Sequence, residues 1–184
     1  MALQRLTIDG YGQVELNNCA FRRDGRIEAQ CKPNASDFSA VNVENGMILA
    51  VDNVAREVKF ATDDSLPLAL VYTAEHIYDE RTPGLKNFYT KAKDDFLPRL
   101  GYLAVGDKFT TNCICYDTEE FASDSAFMSA LASYADVALY GAVSSNGAQA
   151  VSSSAPSTGL KTRVVKNWTM PDGTVGVQFQ VYAV

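Results

Sequence analysis

Histidine occurs once in the 184-residue chain, at His76. Much acid–base, nucleophile-activating and metal-binding chemistry uses an imidazole, and only His76 could supply one here. No serine or cysteine stands in a characteristic nucleophile motif such as Gly-x-Ser-x-Gly. We therefore interpret His76 as a structural or surface histidine. The alternative is a small hydrolase in which His76 pairs with a Cys or Ser that meets it in space.

Four cysteines could bind a metal or form disulfides: Cys19, Cys31, Cys113 and Cys115. One residue separates Cys113 from Cys115, whereas paired zinc ligands usually have about two to four residues between them. Residues two apart in a strand share a face, so both thiols should point the same way, into the core. A free thiol packs as a small hydrophobic group, and burial is our prediction for the cysteines. A metal site or a disulfide is the alternative.

Adjacent carboxylates recur in the sequence, but not in the arrangement that catalysis needs. A glycosidase holds two carboxyl groups facing each other across a cleft, and adjacent carboxylates in turns point apart. Calcium-binding loops alternate Asp or Asn and add a glycine and a bidentate Glu, a pattern that is missing here. We predict no catalytic residues, no cofactor and no metal site. The pairs are Asp63-Asp64, Asp79-Glu80, Asp94-Asp95 and Glu119-Glu120.

The charge balance and hydropathy exclude several classes of partner. Twenty-two acidic and 16 basic residues give a net charge of −6, which argues against binding nucleic acid. Basic residues do not alternate with the aromatic ones along the sequence, as a stacking platform for single strands would require. No apolar run approaches the roughly 18 residues of a membrane span. The N-terminus lacks an apolar signal region, so we expect synthesis in a reducing cytoplasm.

Short alternating runs separated by turn residues predict a mainly β fold, a small β-barrel or β-sandwich of antiparallel strands. The longest signal is a terminal hairpin, in which residues 160–169 and 174–184 flank the turn Pro171-Asp172-Gly173. Residues 109–116 read as one strand. A single helix is predicted at about 124–135, capped by Ser123 or Asp124, and a strand at 137–144 follows it.

The N-terminal region predicts a hairpin or arm distinct from the rest. Strands at 13–22 and 26–31 flank Asp24-Gly25, a dipeptide typical of tight hairpin turns. We therefore divide the chain into an N-terminal hairpin or arm at 1–40 and a β-rich core domain at 41–184. A long polar excursion interrupts the core at 74–100, and long loops of this kind usually carry function or cover something. Trp168, the only tryptophan, either packs in the core or anchors an interface.

Several segments give the chain a resemblance to structural proteins of tailed bacteriophages, specifically the capsid decoration or cement class. Residues 43–52 (VENGMILAVD) and 58–60 (VKF) resemble the glycine, short strand, Asp, turn and basic-apolar strand of small β-barrel decoration domains. Residues 71–75 (VYTAE), 83–88 (PGLKNF) and 168–177 (WTMPDGTVGV) are similar to phage virion proteins. The resemblance implies no catalysis, contacts with copies of itself, and binding to the major capsid protein.

The expected function is that of a virion structural protein on the capsid exterior. In this interpretation the chain binds the major capsid protein lattice and stabilises the head, as a homo-oligomer or lattice-bound subunit. An acidic face suits a protein outside the shell, where it need not touch packaged DNA. The first alternative is a tail tube, tail terminator or head-tail connector component, and the second is the hydrolase that uses His76.

Overall fold

A computed structural model describes residues 2–8, 11–15, 18–21, 29–61, 65–73 and 97–184. The described residues form two β-sheets and one helix, α1 (Asp124–Ala132). The first sheet contains β1 (Leu3–Arg5), β8 (Lys108–Thr111), β9 (Ile114–Asp117), β10 (Tyr140–Val143), β11 (Gln149–Ser152), β12 (Lys161–Thr169) and β13 (Val175–Ala183). The second contains β2 (Ala29–Gln30), β3 (Lys32–Pro33), β4 (Ile48–Asp52), β5 (Glu57–Lys59), β6 (Leu68–Val71) and β7 (Arg99–Tyr102). The predicted class, mainly β with one short helix, is confirmed.

The seven-stranded sheet curls into a half-barrel. Its strand order is β1-β9-β11-β10-β12-β13-β8. Only Asn112 and Cys113 separate β8 from β9 along the chain, although these strands lie near opposite ends of the sheet. Because two residues span only about 7 Å, the sheet must bend until those ends approach each other. The six-stranded sheet, in the order β2-β7-β6-β4-β5-β3, packs beside it.

Two clusters of buried side chains make the core. The larger one fills the concave side of the half-barrel with residues such as Phe109, Tyr116 and Phe179, and α1 adds Phe127 and Leu131. Alternate residues of the strands point to opposite faces of the sheet, so the residues between these face away from this cluster, towards the outside on β13 and towards the second cluster on β9. The second cluster joins apolar residues of the six-stranded sheet to Cys115 of β9 and to Cys113, the residue before β9. It includes Leu49, Val58 and Val71.

Helix α1 is tied to β9 by one strong side-chain hydrogen bond. The hydroxyl of buried Tyr116 donates to the carboxylate of Asp124 at 2.6 Å. Burial, and then this bond, raise the pKa of Tyr116 to about 12. Hydrogen bonds from Tyr116 and Thr7 lower the pKa of Asp124. An ionised carboxylate in the first turn also suits the helix dipole. The prediction for the helix is confirmed, with its end three residues earlier than expected at Ala132.

Replacing Ser123 with alanine should lower the free energy of unfolding by about 1 kcal/mol. The Ser123 side chain accepts a hydrogen bond from the backbone N–H of Ala126, which no other group in the helix would satisfy. Urea denaturation followed by circular dichroism measures the change. The matched control is Ser125→Ala in the first turn of α1, where the side chain is exposed. This substitution should leave the free energy of unfolding unchanged or raise it slightly. An equal loss in both variants would contradict the capping role.

The terminal hairpin forms as predicted. Strands β12 and β13 pair antiparallel over their lengths, with irregular register at two points. Gly173 takes a φ of 84° in the turn, a conformation that costs glycine little. The Asp172 carboxylate accepts hydrogen bonds from the backbone N–H and the hydroxyl of Thr174. The strand predicted at 137–144 is present as β10 (Tyr140–Val143).

The single strand predicted at 109–116 is wrong, because the chain breaks at Asn112 into β8 and β9. The Cys113 N–H donates to the hydroxyl of Thr111 at 2.9 Å, and the Thr111 hydroxyl donates to the Gln13 carbonyl at 2.6 Å. The Asn112 side chain accepts from the Gln13 N–H at 2.6 Å. These side chains replace ladder hydrogen bonds, which lets the chain leave one side of the half-barrel and enter the other.

The described residues of the predicted N-terminal hairpin pair with other strands. Val14 and Ala20 bridge to Thr111 and Lys108 of the first sheet, whereas β2 pairs with β7 of the second. Alternation identifies a strand but not its partner, so these contacts with two different sheets could not be predicted from the sequence. The turn at Asp24-Gly25 lies outside the described residues. The excursion predicted at 74–100 overlaps β7 at its C-terminal end. Its residues 74–96 lie outside the described residues.

Candidate interaction surface

One row of directly paired residues crosses four strands on the convex side of the half-barrel. Tyr140 of β10 pairs with Arg163 of β12, Arg163 with Gln180 of β13, and Gln180 with Lys108 of β8. Directly paired residues in antiparallel strands share a face. Since Val164, Phe179 and Phe109 point into the core, this row points outward, and the side chain of Arg163 is exposed.

Aromatic groups flank the row on both sides. The rings of Tyr140 and Tyr182 lie edge to face, 6.1 Å apart between centroids, and Tyr182 is 40% exposed. On β12 the ammonium group of Lys166 lies 4.2 Å from the centroid of the Trp168 ring, a cation–π contact. Trp168 is half-buried rather than part of either core cluster. The structure therefore places it on the surface, where an anchor would be.

We call this surface the outward basic face, because its strands carry charge of one sign. Strands β8, β10, β12 and β13 contain Lys108, Lys161, Arg163 and Lys166 and no Asp or Glu. The whole chain has a net charge of −6, so positive charge is segregated here. The ion pairs Arg5–Glu44 and Lys59–Asp52 lie elsewhere. The face is defined by Lys108, Tyr140, Arg163, Lys166, Trp168, Gln180 and Tyr182.

Strand β12 also has an open edge beside this face. Its pairing with β10 covers residues 161–163 and ends there, while its pairing with β13 continues to Thr169. Val164 still donates its N–H to the Leu139 carbonyl. In the part of the chain that the structure describes, no group bonds to the backbone of residues 165–169 on the side away from β13. Among the described residues, none pairs with these five on that side, and we call residues 165–169 the open edge.

The sequence analysis missed this surface. It predicted no interleaving of aromatic and basic residues, and along the chain that holds, because Tyr140 and Tyr182 are far from Arg163. The sheet brings them together across strands, and cross-strand register cannot be read from spacing. The one local signal was Lys166 two residues before Trp168, which places both side chains on the same face of a strand.

The cysteines are buried or half-buried thiols, as predicted, and none forms a disulfide. Cys113 and Cys115 are fully buried in the second core cluster. Burial raises the pKa of Cys113 to about 12, and burial also raises the pKa of Cys115 and of Cys31. Because the thiolate is the nucleophile and the metal ligand, these groups are poorly suited to either role.

The other residues singled out from the sequence do not come together. His76 lies outside the described residues, as do the pairs Asp63-Asp64, Asp79-Glu80 and Asp94-Asp95. Glu120 accepts a hydrogen bond from the Ser153 N–H at 2.7 Å, which gives it a structural role. Among the residues that the structure describes, no group of three His, Cys, Asp or Glu side chains could hold a metal ion.

A groove of about 720 Å³ adjoins the outward basic face at one end. It lies between the start of β6 and the loop at 157–160, and Leu68 and Leu160 give it an apolar floor. Its polar groups include Tyr102 and Lys161, but the Lys161 ammonium already donates to the Ser157 carbonyl at 2.8 Å. The groove therefore offers apolar contact area and few polar groups that could orient a ligand.

Comparison with protein-family models, with curated proteins and with solved structures finds no match to this chain. Within the described ranges, the structure contains no helix with the length and hydrophobicity needed to cross a membrane.

Proposed function

We propose that the chain is a structural protein of a tailed-phage virion that decorates the capsid exterior. It binds the lattice of the major capsid protein and stabilises the head, and it is not an enzyme. The observation that carries this proposal is the outward basic face, a surface of cross-strand paired basic and aromatic residues on a half-barrel. Such a surface suits association with a protein, because aromatic residues and arginine are enriched in protein interfaces.

The rest of the molecule supports the same function. Buried apolar residues fill the cores of both sheets, so the half-barrel can present a closely packed surface to a partner. Outside the four strands of the basic face, acidic residues outnumber basic ones. An acidic exterior on a bound subunit repels packaged DNA and suits the outside of the shell.

Capsids that lack the protein should release their DNA at a lower temperature than complete particles. A ligand that binds the assembled shell and not its separated subunits stabilises the shell by linkage. Thermal release is measured by dye access to the DNA as particles are heated, and adding back purified protein should restore the original temperature. Equal release temperatures with and without the protein would contradict a cementing role.

A second candidate, the tail tube, tail terminator or head-tail connector, is favoured by one observation. The first sheet ends in the short strand β1 at one side and exposes the open edge of β12 elsewhere. Pairing between different edges of successive copies is a head-to-tail contact, which closes into rings or extends into tubes. Electron microscopy of the purified protein distinguishes this function from capsid decoration. A tail or connector component should form hexameric rings or tubes in the absence of capsids.

A further inference from the structure

We propose that the open edge of β12 binds an extended, acidic segment of a partner protein by adding it as a strand. This inference rests on the proposed function only for the identity of the partner, the major capsid protein. The chemistry of recognition follows from the edge and from the charges beside it.

The backbone of the open edge can form hydrogen bonds with an added strand. An unpaired strand edge presents N–H and C=O groups in a row, and an extended peptide satisfies them with ladder hydrogen bonds. Residues 165–169 of β12 form such a row, and β13 already pairs with β12 on its other side. Val165, Asn167 and Trp168 are half-buried here, and Lys166 and Thr169 are exposed. Beyond the bulge at Val165, a bound strand would therefore meet an edge that β13 already holds in the extended conformation.

The side chains beside the open edge determine which residues the added strand should contain. Arg163 and Lys166 lie on the same face because Val165 forms a bulge between them. In an added strand, alternate residues would share this convex face, and the residues between them would share the other face with Asn167, the partner of buried Val177. Carboxylates on the convex side would meet two exposed cations in strands that contain no Asp or Glu. β-branched residues at the other positions would favour the extended conformation of the added strand. The preferred ligand alternates acidic and β-branched residues.

Two other ligands could occupy the open edge, a second copy of this chain or a nucleic acid, and the side chains beside the edge argue against both. A second copy paired through the same edge would bring two sets of Lys166 and Arg163 together, and opposed like charges destabilise strand pairs. A nucleic acid would need open ring faces for stacking, but the Lys166 ammonium lies over the Trp168 ring, and Tyr140 packs against Tyr182. Charge complementarity favours the acidic peptide segment.

The test uses purified full-length protein and a capped eight-residue peptide of alternating glutamate and valine. Calorimetric titration should show saturable binding, and emission of Trp168, the only tryptophan, should change with the same midpoint. A lysine–valine peptide of equal length should bind at least about tenfold more weakly, because the charges then repel. The glutamate–valine peptide with every backbone nitrogen methylated should also lose binding, since it has no backbone N–H donors for a strand ladder.

Matched charge reversals locate the site. Lys166→Glu should weaken binding of the acidic peptide at least about tenfold. Lys32→Glu changes the net charge equally at an exposed position of the second sheet, and it should change affinity less than about twofold because distant charges are screened. Circular dichroism establishes that both variants fold.

Several results would overturn the inference. Equal binding of the N-methylated peptide would mean that only charge matters, and equal effects of the two reversals would place the site elsewhere. Tighter binding of an oligothymidine than of the acidic peptide, or dimers that Lys166→Glu disrupts, would identify another occupant. The proposed function fails separately. Peptide binding without binding to phage capsids would overturn that function alone, and capsid binding that survives Lys166→Glu would overturn only the inference.

Discussion

Phe179→Ala is expected to lower the free energy of unfolding by about 3–5 kcal/mol. Phe179 is fully buried on the concave side of the half-barrel, and its ring centroid lies 5.5 Å from that of Phe109. Gly141 of β10 lies directly behind the ring, where a Cβ would come within 2.9 Å of Phe179. With backbone on one side and aromatic rings on the other, the site cannot collapse to fill the cavity. A loss of this size is a large share of the total stability, which is about 5–15 kcal/mol in such domains.

Urea denaturation followed by Trp168 fluorescence measures this loss, because the indole reports on the β12–β13 hairpin. The matched control is Tyr182→Ala, three residues later on β13 and on the convex side. It removes an aromatic group of similar size that is 40% exposed, so it should cost less than about 1.5 kcal/mol, most of it from the pair with Tyr140. Equal losses in the two variants would mean that the concave side of the half-barrel is not the core.

Gly46→Ala is expected to cost about 2–4 kcal/mol, the sum of backbone strain and overpacking. Gly46 has a φ of 88°, and a Cβ there would lie 2.0 Å from the Thr111 hydroxyl oxygen and 2.8 Å from the Cys113 Cβ. These neighbours belong to the β8–β9 junction, whose hydrogen bonds to Gln13 hold it in place. The Gly46 N–H donates to the Val71 carbonyl, so the residue also fixes the second sheet against the first.

Gly106→Ala separates the two contributions. Gly106 has a φ of 98°, and a Cβ there would meet nothing within 4 Å. It should therefore show backbone strain alone, about 1–2 kcal/mol. Chemical denaturation of both variants gives the difference, which measures the close approach of the sheets at Gly46. If the two variants lose the same stability, the sheets do not meet at Gly46 as the structure shows.

Local patterns predicted the local elements of this fold and failed where distant residues pair. The N-cap at Ser123, the helix after it and the turn at Gly173 depend on residues close in sequence, and they form as expected. Val14 and Ala20 instead bridge to β8, about 90 residues away. Sequence alternation carries no information about which strand lies beside another, so these bridges to β8 could not be predicted from the sequence.

The outward basic face also depends on pairing between distant residues, so local sequence patterns could not predict it. Tyr140, Arg163, Gln180 and Lys108 form one row only because three registers align. A shift of one residue in any of these pairs would turn a member of the row into the core. The net charge of −6 gave the correct sign for the molecule as a whole and concealed a basic face, because composition does not report how charge is distributed.

Cryo-electron microscopy of virions purified from the source of this chain would test the proposed function most directly. The account predicts density for the half-barrel on the outer surface of the capsid, repeated with the lattice, with the outward basic face and the open edge of β12 against the major capsid protein. Density for the chain in the tail alone, or its absence from purified particles, would contradict the claim that it decorates the capsid.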